Sequence, residues 1–470
     1  MAKTFKEKIS KVAGGDRTLW MVIIWLMFAS VLVVYSSTAS LAYAKNDGQT
    51  TTYLISQIKF AIFGLLTVFL IHLINYQFYF RHGRVIFKIA LIMMALTFVI
   101  GVEINGERRW LGIPGTSLTF QPADFLKIAL IMVLAIQLAA RQKIIDHIPI
   151  LPSFNYASWR DHPERNSQIF FKTTIPIIFP IAISAILVLV SNLSTALIMC
   201  GACLIVLIIG RVRWKEIFRL IFLAIIILAL IVVVFKGLGI SRADTWINRT
   251  TTFFSSDKTI NDDSKQLSED EFQAQQARIA VASGWILGKG PGKSTQRSNL
   301  PHPYSDYAYA FVVEEYGIIG ALFILGCYLW IFYRAIVIFR RCESSFPSLL
   351  VLGLSLIITL QAMLHIGVSV DAFPVTGQTL PIISKGGSSM IFTCIMFGII
   401  LGVSRQINEV NHAKGIEQKK QLIADEWQQI IFENQDIDGN DSEIKKLFNE
   451  NSEEYQGVIW NDKEEDKDNS

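Results

Sequence analysis

Charged residues are scarce in this chain. Only 17% of its 470 residues are Asp, Glu, Lys or Arg, whereas 52% are hydrophobic. Soluble globular domains carry about 25% charged residues, so this balance argues against a soluble protein. The chain is instead predicted to cross a membrane many times. Its formal net charge is only +4, and no nucleic-acid partner is predicted.

Cysteine and histidine are also few, and neither forms a pattern typical of a disulfide framework or a metal centre. The five cysteines fall within apolar runs or in basic loops, so no disulfides are predicted in the remaining loops. The seven histidines are scattered, and no structural metal is predicted. No cleavable signal peptide is evident, because the first apolar run is too long and lacks a small-residue cleavage site.

Long apolar runs are what the chain has in abundance. Ten stretches approach the length of about 20 residues that a helix needs to cross the hydrocarbon. They are residues 20–37, 53–74, 85–102, 122–140, 173–190, 193–209, 217–235, 307–332, 349–370 and 388–403. The predicted fold class is therefore an all-α polytopic membrane protein with ten transmembrane helices. A basic N-terminal segment (1–19) precedes this domain (20–403), and an acidic tail (404–470) follows it.

Lysine and arginine predict the orientation. They collect before the first span and in alternate loops, which places both termini in the cytoplasm. Loops 103–121, 236–305 and 371–387 then lie on the outer side, the largest of them between the seventh and eighth spans. The tail is predicted to be cytoplasmic, helical around 422–432 and disordered towards its end.

The outer loop 236–305 leads into Asp306, which stands at the mouth of the eighth apolar run. An ionisable side chain at membrane depth is costly unless it meets a cavity, a partner or a substrate, so we predict a functional role. The alternative is an interfacial carboxylate that only caps the following helix.

A second group of charges brackets the start of the fourth span. Arg108 and Arg109 precede Pro122, which suits the first turn of a helix, and Asp124 and Lys127 share one helix face at i and i+3. Guanidinium groups offer paired donors to phosphate oxygens, which favours binding of an anionic headgroup. The alternative is that Asp124 and Lys127 only neutralise each other.

The loop 236–305 also carries Arg249, Gln276 and a glycine-rich turn with two lysines at 288–294. The spacing does not fit a nucleotide-binding P-loop. The turn could approach an anion or be a plain surface turn, and Gln276 is expected to shape the loop.

Beyond this loop, Glu314 and Glu315 begin the interior of the eighth span. We expect one to pair with an inward-facing cation and the other to face the headgroups.

A third outer segment, 373–389, precedes the last span. Its prolines and glycines predict irregular backbone, which is tolerated at membrane depth only where it is buried in protein or lines a wet cavity. A loop that faces a substrate is the favoured interpretation. The three outer segments are, in chain order, 106–127, 246–294 and 373–389. All three lie on the same predicted side as Asp306, so they are expected to surround one site.

Together these segments resemble the SEDS family of peptidoglycan polymerases, which has FtsW, RodA and SpoVE branches. The resemblance covers residues 20–403 and rests on Arg109-Trp110, Gln121-Pro122-Ala123-Asp124 with Lys127, Ser194-Thr195-Ala196-Leu197, Gly288-Lys289-Gly290 through Ser305-Asp306, and 374–389. Segment 374–381 is closer to the FtsW branch. The chain departs from the usual family residues at Asp124 (Glu), Asn192 (Asp), Tyr304 to Tyr307 (His-Thr-Asp-Phe) and Lys385 (Tyr).

The resemblance implies a SEDS fold and a peptidoglycan glycosyltransferase that joins lipid II into glycan strands at the outer face of the bacterial cytoplasmic membrane, at the division septum. It implies that Asp306 is the general base and that undecaprenyl pyrophosphate leaves. The substrate-binding residues expected are Arg108, Arg109, Gln121, Asp124, Lys127, Arg249, Gln276, Lys385, Gly386, Gly387 and Ser388.

The implied partners are a class B penicillin-binding protein, which is a transpeptidase, and other division proteins. A divalent cation, Mg²⁺ or Mn²⁺, could accompany the pyrophosphate, but no fixed metal site is expected. Three alternatives stay open. The chain could be an elongation polymerase of the RodA type, a lipid II flippase with a polar path through the bilayer, or a non-catalytic scaffold for the transpeptidase.

Overall fold

The structure, a computed structural model, describes residues 14–37, 50–104, 107–112, 119–145, 151–152, 163–237, 246–247, 251, 269–296, 307–384 and 387–434. The chain divides into two units, Met1–Asn408 and Glu409–Ser470. Every contact described below lies within the first unit. Asp306, Arg249, Lys385 and Gly386 fall outside the described residues, as does the tail beyond 434.

The described elements are almost all helical. The helices are α1 Arg17–Ser37, α2 Thr50–His72, α3 Tyr76–Ile100, α4 Pro122–Ile145, α5 Pro163–Ile169, α6 Ile175–Ser191, α7 Leu193–Ile209, α8 Trp214–Gly237, α9 Glu269–Gly284, α10 Ala308–Arg341, α11 Ser345–Ser369 and α12 Gly387–Asn434. A single π-helical turn, Phe170–Thr174, joins α5 to α6. Three strands, β1 Val102–Ile104, β2 Glu107–Gly112 and β3 Thr119–Phe120, follow α3.

Each of the ten predicted spans coincides with a helix. Among the described residues, nine helical segments are long and apolar enough to cross a membrane. The tenth, α7, is apolar but has 17 residues, which at about 1.5 Å per residue gives it a length of about 26 Å. The predicted polytopic helical fold is therefore confirmed. Helix α12 continues through 422–432, where the tail was predicted to be helical.

The central helices are α4 and α11. In their apolar segments 78% and 83% of the residues are buried, against 6% in α8. Helix α11 packs against α4, α7 and α10. A Cβ atom on Gly353 of α11 would lie 2.6 Å from Ile131 Cγ2 of α4, so this glycine allows the two helices to approach closely, as small residues do in membrane bundles.

A small antiparallel sheet occupies the loop between α3 and α4. Strands β1, β2 and β3 pair in that order, with Glu103 opposite Arg108 and Leu111 opposite Phe120. The sequence did not predict these three short strands, but the described residues are otherwise almost all helical. The sheet leads into Pro122, which begins α4 as predicted.

Helix α10 is interrupted near its start. Gly317 has φ 67° and ψ −167°, a conformation that is accessible to glycine and strained for other residues. The groups freed by the break pair with the turn after α9. Lys289 N and Gly290 N donate to the carbonyls of residues 314 and 315 at 2.9 Å each. We call the paired backbone of residues 285–290 and 314–319 the clasp.

The clasp also pairs in the other direction. Ile318 N donates to Trp285 O at 3.0 Å and Ile319 N to Ile286 O at 3.5 Å. A Cβ atom on Gly288 would lie 2.3 Å from Glu315 O, so the two backbones meet where a side chain has no room. Unpaired backbone groups are not tolerated in lipid, and the clasp satisfies those that the break exposes.

Candidate functional site

The site begins in the first turn of α4, where Asp124 and Lys127 form a buried ion pair. Lys127 Nζ lies 2.7 Å from Asp124 Oδ1, and the side chains of Lys127 and Asp124 are 3% and 9% exposed, respectively. This is the mutual pairing that the i, i+3 spacing allowed. The second carboxylate oxygen, Asp124 Oδ2, is buried without a hydrogen-bond partner. Such an oxygen retains the capacity to accept a hydrogen bond.

Lys127 also connects α4 to α11 and to the third outer segment. Its Nζ donates to Gln361 Oε1 at 3.0 Å. Gln361 Nε2 in turn donates to Thr379 O, also at 3.0 Å. A buried glutamine side chain thus joins the ion pair to the irregular backbone before the last span, and its amide group has both a donor and an acceptor in use.

His365 lies one turn further along α11 and is 1% exposed. Its Nδ1 is 2.7 Å from Gln378 O, which only accepts, so Nδ1 carries the proton. Its Nε2 accepts from Tyr309 N at 3.4 Å. Tyr309 N belongs to the first turn of α10, where backbone donors lack partners within the helix. His365 therefore links the start of α10 to the third outer segment.

The same segment reaches α7 through Gln378. Gln378 Nε2 donates to Thr195 Oγ1 at 2.9 Å, and Thr195 N donates to the side chain of the N-cap residue Asn192 at 3.2 Å. Thr195 belongs to the Ser194–Leu197 motif. This motif of α7 thus contacts the loop before the last span.

Glu314 is the most enclosed carboxylate of the site, with 0% exposure. Lys289 Nζ lies 2.7 Å from its Oε1, and Thr295 donates to the same oxygen through its N and its Oγ1, at 2.9 Å each. Ser294 Oγ donates to the other oxygen. The glycine-rich turn therefore carries its lysine into the protein, onto an acid of α10.

The expectation for the two glutamates is half confirmed. Glu314 pairs with a cation, as predicted. Glu315 does not face the headgroups, because it is 2% exposed and accepts a hydrogen bond from Ser36 Oγ of α1. The clasp explains the difference from the prediction, since the break at Gly317 turns this part of α10 into the protein interior.

The second outer segment also contacts the loop 371–387, which contains most of the third. Arg278 of α9 forms an ion pair with Asp371, with Nη2 and Oδ1 2.7 Å apart. Together with the Lys127–Gln361–Thr379 contacts, this pair brings parts of all three predicted segments to one end of the helix bundle. We call this group of contacts the polar end.

The remaining predicted residues occupy different positions. Arg108 is exposed and its Nε lies 3.4 Å from Glu103 Oε2 across the β1–β2 pairing. Arg109 and Gln121 are half-buried, and Gln121 O accepts from Asp124 N at 3.1 Å. The other half-buried residues are Gln276 on α9 and Ser388 in the first turn of α12, which begins at Gly387.

Sequence reasoning missed Gln361 and His365. Both are polar residues inside a run that was considered only as a span, and their i, i+4 spacing puts them on one helix face. A polar pair at that spacing within an apolar run was the available signal. Within the described ranges, no group of three or more His, Cys, Asp or Glu residues could hold a metal ion.

These features define a class of protein: a polytopic helical membrane protein with a buried polar site at one end of its bundle. The FtsW/RodA/SpoVE family, described as cell cycle proteins, matches residues 16–409, and the chain belongs to this family. Stage V sporulation protein E of Bacillus subtilis is 30% identical, over 84% of this chain and 98% of that protein. The probable peptidoglycan glycosyltransferase FtsW of Hydrogenovibrio crunogenus is 27% identical, over 83% and 93%.

Solved structures show the same fold. A chain from a peptidoglycan synthase complex, studied for its coordination of polymerization and crosslinking, aligns with a TM-score of 0.59 at 22% identity, covering 84% of this chain and 98% of that one. The rod shape determining protein RodA of Thermus thermophilus aligns with a TM-score of 0.52 at 20% identity, covering 83% of this chain and 97% of that one.

Proposed function

We propose that this protein is a peptidoglycan glycosyltransferase that polymerises lipid II during septal cell wall synthesis. The observation that carries the proposal is the polar end. Parts of three separate segments meet there, beside the first turn of α10, which directly follows Asp306 in the sequence. The relatives named as probable peptidoglycan glycosyltransferases supply the reaction class.

In this proposal Asp306 is the general base. It accepts the proton of the acceptor's 4-hydroxyl group, whose oxygen attacks the anomeric carbon of the donor sugar. The bond from that carbon to the pyrophosphate breaks, and undecaprenyl pyrophosphate leaves with the electron pair. A carboxylate at a partly dehydrated site can have its pKa raised towards the working pH, which suits it to this role.

Cations are required where the pyrophosphate leaves. We propose that Arg108, Arg109, Arg249 and Lys385 supply them. Lys127 already binds Asp124 and Gln361, so its proposed contribution is to hold the start of α4 in place.

The uncharged candidates have smaller proposed roles. Gln121, Gln276, Gly386, Gly387 and Ser388 are proposed to shape the substrate cleft. A divalent cation, Mg²⁺ or Mn²⁺, is proposed as a companion of the substrate pyrophosphate.

The proposed location is the bacterial cytoplasmic membrane at the division septum, with both termini in the cytoplasm and the polar end outside. The alternation of basic loops supports this orientation. A class B penicillin-binding protein is the proposed partner. The structural similarity to a chain of a synthase complex that couples polymerization and crosslinking supports such a pairing.

The test is polymerisation of lipid II by the purified full-length protein and by Asp306→Asn. Each is assayed with and without a class B partner that has no polymerising activity of its own. We expect glycan strands from the wild type and none from Asp306→Asn. Glu343→Gln is the matched control, because Glu343 is an exposed acid in the turn between α10 and α11, at the opposite end of the bundle.

Two outcomes would contradict the proposal. Normal turnover by Asp306→Asn would remove this aspartate as the base. The absence of strands from a folded wild type, even with the partner, would favour transport of lipid II or a scaffolding role.

A further inference from the structure

The turn after α9 exposes three consecutive large apolar side chains. Trp285, Ile286 and Leu287 are 77%, 56% and 77% exposed, respectively. Exposed apolar side chains that occur singly are ordinary, but a contiguous group marks a surface that something covers. We call these three residues the apolar tip.

The apolar tip has a defined position. Its backbone is part of the clasp, where Trp285 O and Ile286 O accept from the amides of residues 318 and 319. Gly284 and Gly288 border the tip, and a Cβ atom on Gly284 would lie 2.0 Å from Val313 O. The tip is therefore fixed to α10 on both sides of the break.

The clasp places the tip beside an exposed apolar surface of a membrane span. Ile318, Ile319, Leu322 and Phe323 of α10 are between 50% and 58% exposed, and α10 is one of the helices long and apolar enough to cross a membrane. Because residues 285 and 286 hydrogen-bond residues 318 and 319, the tip and this surface are continuous. We therefore expect the apolar tip and the exposed face of α10 to have the same surroundings.

Basic side chains flank the tip. Arg278, which pairs with Asp371, is 41% exposed on α9, and Lys293 is exposed within the glycine-rich turn. Such side chains can reach phosphate headgroups while neighbouring apolar side chains lie deeper. Tryptophan is also enriched at the membrane interface. The tip thus combines the features of a segment that lies in a bilayer surface.

We infer that the apolar tip inserts into the acyl-chain region of the adjacent lipid leaflet and so anchors the clasp to the membrane. The occupant of this surface is phospholipid, since the tip continues the lipid-facing side of α10 and is bordered by basic residues. The inference does not depend on the reaction proposed above.

The test places a bimane fluorophore on Leu287→Cys in the full-length protein, reconstituted in phospholipid nanodiscs with brominated acyl chains. Val99→Cys is the positive control, because Val99 is 76% exposed on α3, a candidate span. Lys293→Cys is the matched polar control from the same loop. Wild-type protein treated in the same way measures labelling of the five native cysteines.

We expect Leu287→Cys to match Val99→Cys, with a blue-shifted emission and a loss of intensity in brominated lipid. Lys293→Cys should lose intensity only with aqueous iodide. A probe at 287 that responds to iodide and not to brominated lipid overturns the inference. So does a probe that becomes protected only when a partner protein is added. Trp285→Cys repeats the measurement if the first variant is not monodisperse.

Discussion

Two helices of this protein begin with the same arrangement of charges and differ in their surroundings. Helix α4 has Asp124 and Lys127, and α8 has Glu216 and Arg219, each an acid followed three residues later by a base. In α4 the basic side chain is 3% exposed, whereas in α8 it is 47% exposed. The spacing is equal, so the environment decides what each pair contributes.

The more apolar of the two helices is the peripheral one. The apolar segment of α8 has a mean hydropathy of 3.3 with 6% of its residues buried, against 2.0 and 78% for α4. Lipid is as apolar as leucine, so a helix surrounded by lipid must be apolar on all sides. A central helix can carry polar side chains that pair with its neighbours. Of these two helices, the less apolar one is therefore the one that carries the site.

The largest effect is expected from breaking the central pair. Lys127→Met leaves the Asp124 carboxylate buried without its cation, which typically costs about 3–5 kcal/mol. Arg219→Met should cost less, because the Arg219 side chain is 47% exposed and the Glu216 carboxylate, although only 5% exposed, keeps the Leu151 amide as a donor. The free energy of unfolding in mixed micelles measures both.

A double variant serves as the control for this comparison. Asp124→Asn combined with Lys127→Met should regain much of the loss, since no buried charge then remains. Equal costs for Lys127→Met and Arg219→Met would show that burial does not distinguish the two pairs.

A second comparison lies within α10. Gly317→Ala introduces a Cβ atom 2.2 Å from Ile286 O at a residue with φ +67°, so we expect a loss of about 1–3 kcal/mol. Gly326→Ala in the same helix meets no atom within 4 Å and should be neutral or stabilising by up to about 1 kcal/mol. Thermal unfolding of the two variants measures the difference. Equal midpoints would mean that the clasp adds no stability.

The smallest change in stability is expected for the ion pair between Asp16 and Arg334, at the other end of the bundle. Asp16 binds Arg334, with Arg334 Nε 2.8 Å from Oδ2. Burial raises the pKa of Asp16, but hydrogen bonds from Thr18, Arg334 and the Leu19 amide outweigh it and bring the pKa below the usual 3.8. Because the pKa of Asp16 is lower in the folded state than in the unfolded state, its ion pair stabilises the fold at pH values above the unfolded-state pKa. This stabilisation is lost as the pH falls through the folded-state pKa.

The Asp16→Asn variant isolates this contribution. Wild type should lose its advantage over the variant as the pH falls from about 3.8 through the lowered pKa of Asp16. The advantage should be modest, because the Arg334 side chain is 19% exposed. Unfolding midpoints measured against pH test this. A stability advantage of wild type that grows as the pH falls would show that folding does not lower the pKa of Asp16.

The sequence predicted the helices better than it predicted their contacts. Apolar length alone located ten described helices, nine of which are long enough to cross a membrane, because each span must cross the same hydrocarbon thickness. It also allowed the Asp124–Lys127 pair, since both partners lie within one helical turn. The family motifs indicated three segments of one site, and the described contacts join Thr379 of the third, through Gln361, to Lys127 of the first.

What the sequence could not supply depends on partners far apart in the chain. The break at Gly317 is stable only because residues 285–290 complete its hydrogen bonds, and nothing in the local run around Gly317 indicates that pairing. The short strands β1 to β3 were missed because each contains only two to six residues, although the Asn105-Gly106 pair between β1 and β2 is typical of hairpins. His365 is one polar residue in an apolar run until Gln378 and Tyr309 are placed beside it.

The break in α10 also determines how motion passes through the protein. A continuous helix transmits displacement along its own hydrogen-bond ladder, but here the ladder stops between residues 314–315 and 318–319 and continues into the turn after α9. A displacement of α9 is therefore expected to be transmitted to residues 308–316 through these hydrogen bonds, and not through the rest of α10. Residues 308–316 begin two positions after Asp306 in the sequence and are hydrogen-bonded to the turn after α9, so a displacement of α9 is expected to move them.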